Sequence, residues 1–132
     1  MDTDENGRLA ARLGGRVILA LVPDLIVSVR IEEVAKRLGA RVETTGSMEE
    51  AAALMRRSQG IDAVVVDLAM AGLDMKGVAR AAHEAGARCI GFYPHVAATL
   101  RRAAKEAGLE HVYARSRFLR ELQAILRERL EA

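Results

Sequence analysis

The chain has 132 residues and a formal net charge of +2 at pH 7, from 20 Lys and Arg against 18 Asp and Glu. This length suits one domain, and a hydrophobic fraction of 51% supplies a core that must be mainly aliphatic, since the chain has two Tyr, two Phe and no Trp. The near balance of charge does not favour nucleic-acid binding, which usually gathers basic residues on one face. The single cysteine, Cys89, excludes an internal disulfide and any Cys-rich metal site.

The first 15 residues, MDTDENGRLAARLGG, are polar and end in two glycines. We interpret residues 1–15 as an N-terminal tail and residues 16–132 as one domain. The tail lacks the apolar stretch of a secretory signal, and no apolar run in the chain is long enough to span a membrane. The expectation is a cytoplasmic protein without membrane attachment.

From residue 16 onwards, strand-like and helix-like segments alternate. Apolar, β-branched runs predict strands at residues 16–22, 40–45, 62–67, 88–93 and 110–114. Apolar residues at helical spacing predict helices at residues 24–38, 48–58, 75–85, 96–107 and 117–130. Asp24 is the expected N-cap of the first helix, and Ser47 with Glu50 matches a capping box at the second. Five βα units predict an α/β, flavodoxin-like three-layer sandwich with a parallel five-stranded sheet in the order 2-1-3-4-5.

The third predicted strand, DAVVVD, ends in Asp67. In an open parallel sheet, sites form outside the carboxyl ends of the strands where the strand order reverses, here between strands one and three. Asp67 therefore falls at the expected site. Its predicted neighbours follow the ends of strands one, four and five and are Val22, Pro23, Asp24, Tyr93, His95 and Arg115.

Three stretches carry a resemblance to a known family: VVVDLAMAGLD, IGFYPH and AGLEHVYARSRFLREL. Together they resemble the CheY-like receiver domain of response regulators, the phosphoacceptor module of two-component signalling, over residues 16–131. The resemblance implies that Asp67 holds the position of the phosphorylated aspartate. Gly72 and Asp74 match the loop that follows it, where Ala71 replaces the usual proline and Met75 the final glycine.

The chain departs from the receiver pattern around Asp67. Receivers carry an acidic pair after strand one, which holds Mg²⁺ together with the phosphoacceptor; here the pair is Val22-Pro23, and neither side chain ligates a metal. The usual Ser or Thr at the end of strand four is Tyr93, and the usual lysine after strand five is Arg115. The resemblance therefore implies a degenerate pseudo-receiver without a cofactor, in which Mg²⁺ would bind only if Asp24 and Asp67 could both ligate it.

Two side chains are expected to take the place of the missing receiver groups around Asp67. An unpaired carboxylate would be unfavourable there, so Arg115 is expected to pair with Asp67 as a fixed counterion. Tyr93 either fills the would-be phosphate pocket or stays half-buried with its hydroxyl in water.

No metal site is predicted from the three histidines and the cysteine. His83, His95 and His111 do not have the i, i+4 spacing of a helical metal site. Cys89 at the start of a buried strand is interpreted as a small core residue.

Arginines concentrate in the last third of the chain, and this makes the region of the fourth helix, fifth strand and fifth helix locally basic. In receivers that region is the usual partner and dimer surface, so we expect a protein partner or a homodimer there, through Arg101, Tyr113, Arg117 and Arg120. The alternative is a solvated helix face, because glutamates are interspersed. Direct nucleic-acid binding is not expected, since stacking aromatics are scarce.

Three functions remain open from the sequence. The first is a stand-alone, non-enzymatic signalling module that acts by protein–protein contact and has a degenerate phosphoacceptor site. The second is an active single-domain response regulator, phosphorylated on Asp67 within a phosphorelay. The third is a flavodoxin-like sensor of a small ligand in the same cleft, although ALVPDL after strand one is not a G-x-G-x-x-G loop.

Overall fold

The two central strands, VILAL and IDAVVVD, are apolar on both faces, as expected for a parallel sheet that helices cover on both sides. The computed structural model of the protein describes residues 15–57, 60–94 and 97–131. The strands of this part of the chain are β1 (Val17–Leu21), β2 (Arg41–Thr45), β3 (Ile61–Asp67), β4 (Arg88–Tyr93) and β5 (His111–Ala114). They form one parallel sheet in the order β2-β1-β3-β4-β5, which confirms the predicted fold.

The helices of the same residues are α1 (Leu25–Arg37), α2 (Met48–Arg57), α3 (Met75–Glu84), α4 (Ala98–Glu106), α5 (Arg115–Arg120) and α6 (Leu122–Glu131). The prediction of a single last helix at residues 117–130 is wrong. Helical structure begins earlier, at Arg115, and is interrupted at Glu121. None of these helices has the length and apolar character needed to cross a lipid bilayer.

The core consists of two layers, one on each face of the sheet. Alternate residues of β1 point to opposite faces, so Ile18 and Ala20 belong to one layer and Leu19 and Leu21 to the other. The first layer is formed with α1, α5 and α6, and the second with α2, α3 and α4. Helices α1, α5 and α6 therefore share one face of the sheet.

The helix α1 buries only part of the apolar stripe expected from its sequence. The stripe comprises Leu25, Ile26, Val29, Val34 and Leu38. The last two are buried, but Leu25, Ile26 and Val29 are 73%, 75% and 41% exposed. Because α1 starts after β1 has ended, its first turn lies at the carboxyl edge of the sheet, where these side chains meet solvent.

The capping box expected at α2 forms only in part. Ser47 Oγ accepts a hydrogen bond from the Glu50 N–H at 3.2 Å. The Ser47 N–H, which a complete box would pair with the Glu50 side chain, donates instead to Thr45 Oγ1 at 3.0 Å. Thr45 at the end of β2 therefore takes the second half of the cap.

Candidate functional site

Asp67 ends β3 and lies beside the end of β1, because Leu21 is in register with Val66. Its Oδ1 accepts a hydrogen bond from the Ala69 N–H at 2.9 Å, and its carbonyl accepts one from the Met70 N–H at 3.2 Å. Asp67 thus turns the chain at the end of the strand. Its Oδ2 has no hydrogen-bond partner among the described residues, and the side chain remains partly exposed.

The loop after Asp67 leads directly into α3. Gly72 has φ +75°, a conformation that favours glycine. Asp74 is the N-cap of α3, and its Oδ1 accepts a hydrogen bond from the Gly77 N–H at 3.0 Å. A side chain at Gly77 would collide with the Asp74 carboxylate. Asp74 is therefore a structural cap.

Asp24 uses both carboxylate oxygens within the chain. As the N-cap of α1, its Oδ1 accepts hydrogen bonds from the N–H groups of Ile26 at 2.8 Å and Val27 at 3.3 Å. Its Oδ2 lies 3.2 Å from a terminal nitrogen of Arg115. The Val27 and Ile26 hydrogen bonds and the charge of Arg115 lower the pKa of Asp24, against a smaller opposing effect of burial.

Arg115 does not pair with Asp67, and that expectation is wrong. Its guanidinium contacts Asp24 instead, at 3.2 Å, and Asp67 forms no salt bridge within the described part of the chain. The physical reason is the shared face of α1 and α5, which sets the starts of these two helices side by side. Arg115 therefore joins the β1–α1 connection to the end of β5.

The residues at this edge do not fit Mg²⁺. Val22 is buried, with its N–H donated to the Thr45 carbonyl at 2.9 Å, and Pro23 offers no ligating side chain. Asp24 is committed to the cap and to Arg115. Magnesium takes hard oxygen ligands in near-ideal octahedral geometry, and Asp67 alone is a poor set of protein ligands. Within residues 15–57, 60–94 and 97–131, no three His, Cys, Asp or Glu side chains are grouped to hold a metal ion.

Tyr93 ends β4, in register with Ala114 of β5. It is partly buried and packs against the core layer of α2, α3 and α4. His95, the other expected neighbour after β4, lies outside the described residues. The two interpretations of Tyr93 remain predictions.

The expected partner face is built from α4, β5 and α5. Arg101 is exposed on α4, and the Arg117 guanidinium lies 5.4 Å from the ring centroid of Tyr113. Glu121 Oε2 lies 3.2 Å from Arg117 Nε and 3.5 Å from a terminal nitrogen of Arg120. Glu121 thus offsets part of the positive charge of this face, which leaves it mixed in character.

A parallel sheet in the order β2-β1-β3-β4-β5, with an aspartate at the end of β3, is the CheY-like fold of response-regulator receiver domains. Solved receiver structures superpose on nearly the whole of this chain. The sequence itself matches no protein-family model and no curated protein sequence.

A response regulator from Thermotoga maritima matches with a TM-score of 0.75 and 17% identity, covering 89% of this chain and 98% of that one. An orphan response regulator of H. pylori matches with a TM-score of 0.74 and 20% identity, over 89% and 98%. The receiver domain of a sensor histidine kinase from Pseudomonas aeruginosa PAO1, with a magnesium ion coordinated in its active-site cleft, matches with a TM-score of 0.74 and 24% identity, over 90% and 100%. At these identities the likeness establishes the fold.

Sequence reasoning missed two features of the surface. One is the exposed apolar first turn of α1, for which the position of the helix relative to the sheet edge was needed. The other is a cavity at the opposite edge of the sheet, which brings together His83, Cys89 and His111 from three separate elements. Their spacing in the sequence gives no signal of this meeting.

Proposed function

We propose that this protein is a receiver-fold signalling module that acts through protein contact, with a phosphoacceptor site that no longer supports phosphorylation. The observation that carries the proposal is the Asp24–Arg115 ion pair at 3.2 Å. It engages the first acidic side chain after β1 and the first basic side chain after β5. Both are the groups that a phosphorylation switch would have to use.

The chemistry of phosphoryl transfer supports the proposal that Asp67 is not phosphorylated. Positioned cations must offset the charge that spreads over the phosphoryl oxygens in the transition state. The carboxylate that follows β1, Asp24, already caps α1 and pairs with Arg115, and Arg115 thereby already has a carboxylate partner. Phosphorylation of Asp67 would have to separate the Asp24–Arg115 pair or proceed without a cation.

Protein contact is the way in which we propose that the module transmits a signal. We propose that a protein partner, or a second copy of the chain, binds the α4–β5–α5 face through Arg101, Tyr113, Arg117 and Arg120. Arginine and tyrosine are enriched at protein interfaces, and these arginines are exposed. The module would act without an enzymatic activity of its own, in the cytoplasm.

One observation favours the alternative of an active response regulator. Asp67 Oδ2 has no hydrogen-bond partner among the described residues, so a nucleophilic oxygen is available at the position where receivers are phosphorylated. A titration with a mimic of the phosphoryl group separates the two functions.

The experiment is an amide NMR titration with Mg²⁺ and beryllofluoride, which mimics a phosphorylated aspartate. The degenerate site predicts no shifts at Asp67, Tyr93 and Arg115. Shifts centred on these residues that vanish in Asp67→Asn would establish the active response regulator instead. Shifts that persist in Asp67→Asn would reflect adventitious binding and would leave the degenerate site intact.

A further inference from the structure

A cavity of about 350 Å³ lies at the amino ends of the strands, at the edge of the sheet opposite Asp67. It is open on one side and is lined by the starts of β3, β4 and β5 and by the C-terminal parts of α3 and α6. Small residues leave the space open, and they are Ala79, Ala82, Gly86, Ala87 and Gly108. The volume is near the lower end of the range of about 300–1,000 Å³ for small-molecule sites.

The acidic groups of the cavity are largely committed. Asp62 accepts a hydrogen bond from the Val17 N–H at 2.9 Å and pairs with Arg16 at 3.2 Å. Glu110 is exposed and lies 3.8 Å from His111 Nε2, where it forms an ion pair only when the imidazole is protonated. Because Asp62 and Arg16 neutralise each other, the charge of the rest of the lining comes mainly from basic side chains of four separate elements, which are His83, Arg88, His111 and Arg129.

Arg129 on α6 supplies the most specific signal. Its Nε is buried and has no hydrogen-bond partner among the described residues, while a terminal nitrogen lies 3.6 Å from Glu128 Oε2. Buried donors without a partner are unfavourable and rare in folded proteins. Arg129 lines the cavity and its side chain is 24% exposed, whereas Nε itself has almost no accessible surface. The terminal nitrogens of the guanidinium are therefore the donors that an oxygen inside the cavity would meet. A guanidinium matches the geometry of phosphate and carboxylate oxygens.

The ends of α3 and α4 point to the same edge, and helix C-termini disfavour anions. Their last carbonyls are, however, satisfied by the backbone that follows. The N–H groups of Gly86 and Ala87 donate to His83 and Ala82, and those of Gly108 and Leu109 donate to Lys105 and Ala104. These bonds reduce the number of carbonyl oxygens that would face an anion.

We propose that this cavity binds a phosphate group, free or carried by a small molecule, with Arg129 donating hydrogen bonds to its oxygens. The volume of about 350 Å³ fits a small ligand. The site is separate from Asp67, and the inference does not depend on the proposed function. A ligand here would contact α6 and the starts of β4 and β5, elements that continue into the proposed partner face.

His111 offers a reporter for the bound charge. Burial, followed by the positive charges of Arg129 and Arg88, lowers the pKa of His111, while Glu110 opposes them. A bound dianion would raise this pKa, because it favours the imidazolium form. The other titratable or charged groups of the lining are Arg16, Asp62, His83 and Cys89.

The test is an amide NMR titration of the full chain with inorganic phosphate, with chloride adjusted to keep the ionic strength constant. We expect saturable shifts at Gly86, Gly108 and His111, none at Asp67, and a rise in the pKa of His111. Shifts that do not saturate, or that centre on Asp67, would overturn the proposal. A parallel titration with phosphoserine distinguishes the sources: tighter binding than phosphate supports an esterified ligand, and equal binding supports free phosphate.

Two variants test the residues. Arg129→Gln should weaken phosphate binding at least about tenfold, because it removes a charge-assisted donor. Arg127→Gln removes the same charge from the same helix outside the cavity and should leave the affinity within about twofold; equal weakening by both would overturn the proposal. Ala79→Leu fills the cavity and should abolish binding, and unchanged affinity there would overturn the proposal even if Arg129→Gln failed to fold.

Discussion

Asp24 and Arg115, which are 91 residues apart in the sequence, form an ion pair at 3.2 Å between the start of α1 and the start of α5. The pair ties together the two chain segments that follow β1 and β5. Since Asp24 is also the N-cap of α1, one carboxylate both caps this helix and binds the first residue of α5. The pair neutralises Asp24, whereas Asp67 at the same edge of the sheet has no cationic partner among the described residues.

The stability of the protein should report on this pair through pH. The lowered pKa of Asp24 means that its contribution is fully present above the ordinary value of 3.8 and is lost as the pH falls through the folded-state value. Arg115→Gln should therefore lower the melting temperature at pH 7 and have a smaller effect at pH 3. Thermal unfolding followed by circular dichroism at both pH values checks this, and an effect independent of pH would argue against the ion pair.

Asp24 variants should separate the cap from the pair. Asp24→Asn keeps an oxygen for the Ile26 and Val27 N–H groups and should be less destabilising than Asp24→Ala, which removes cap and charge together. In the Asp24→Asn background, Arg115→Gln should add little further loss. Additive losses in the double variant would show that the two side chains act independently.

Adding and releasing carboxylates should create a metal site beside Asp67 if the side chains at Pro23 and Asp24 are what keeps Mg²⁺ from binding there. In Pro23→Asp/Arg115→Gln, the new carboxylate and the released Asp24 would join Asp67 as hard oxygen ligands. We expect Mg²⁺ in the millimolar range to shift the Asp67 amide in this variant and not in the native chain. Pro23→Asn/Arg115→Gln is the matched control, and a silent double variant with added carboxylate would refute the explanation.

Two isoleucines of α1 should respond very differently to truncation. Ile31 is fully buried, whereas Ile26 is 75% exposed. Ile31→Ala should cost about 2–5 kcal/mol of unfolding free energy, because it leaves a cavity in the core. Ile26→Ala should stay within about 0.5 kcal/mol. Urea denaturation measures both, and a large loss at Ile26 would mean that this side chain is covered in solution.

Cys89 should be nearly inert towards alkylation. Burial raises the pKa of its thiol to about 12, from a usual 9.0, so very little thiolate exists at pH 8. Iodoacetamide should modify the folded protein at least about a hundredfold more slowly than the same protein in denaturant. Comparable rates in the two states would show that β4 opens readily at its amino end.

The fold was predictable because it depends on periodicity. The β-branched run that ends in Asp67 and the alternation of Ile18 and Leu19 between the two faces of the sheet are properties of neighbouring residues, which the sequence displays directly. Asp24 was predictable as a cap for the same reason, since its partners lie two and three residues away. The division of the last helix was harder to predict from the sequence, because no glycine or proline marks the interruption at Glu121.

The site was only half predictable. The sequence by itself determined the alternation of strands and helices, the position of Asp67 at a strand end and the absence of a carboxylate at Val22 and Pro23, because each follows from local pattern or residue identity. Only the tertiary structure decided that Arg115 pairs with Asp24 and not with Asp67, that the first turn of α1 is exposed, and that His83, His111 and Arg129 line one cavity. Those outcomes depend on which helices share a face of the sheet and where each begins, and distance along the chain carries no record of either.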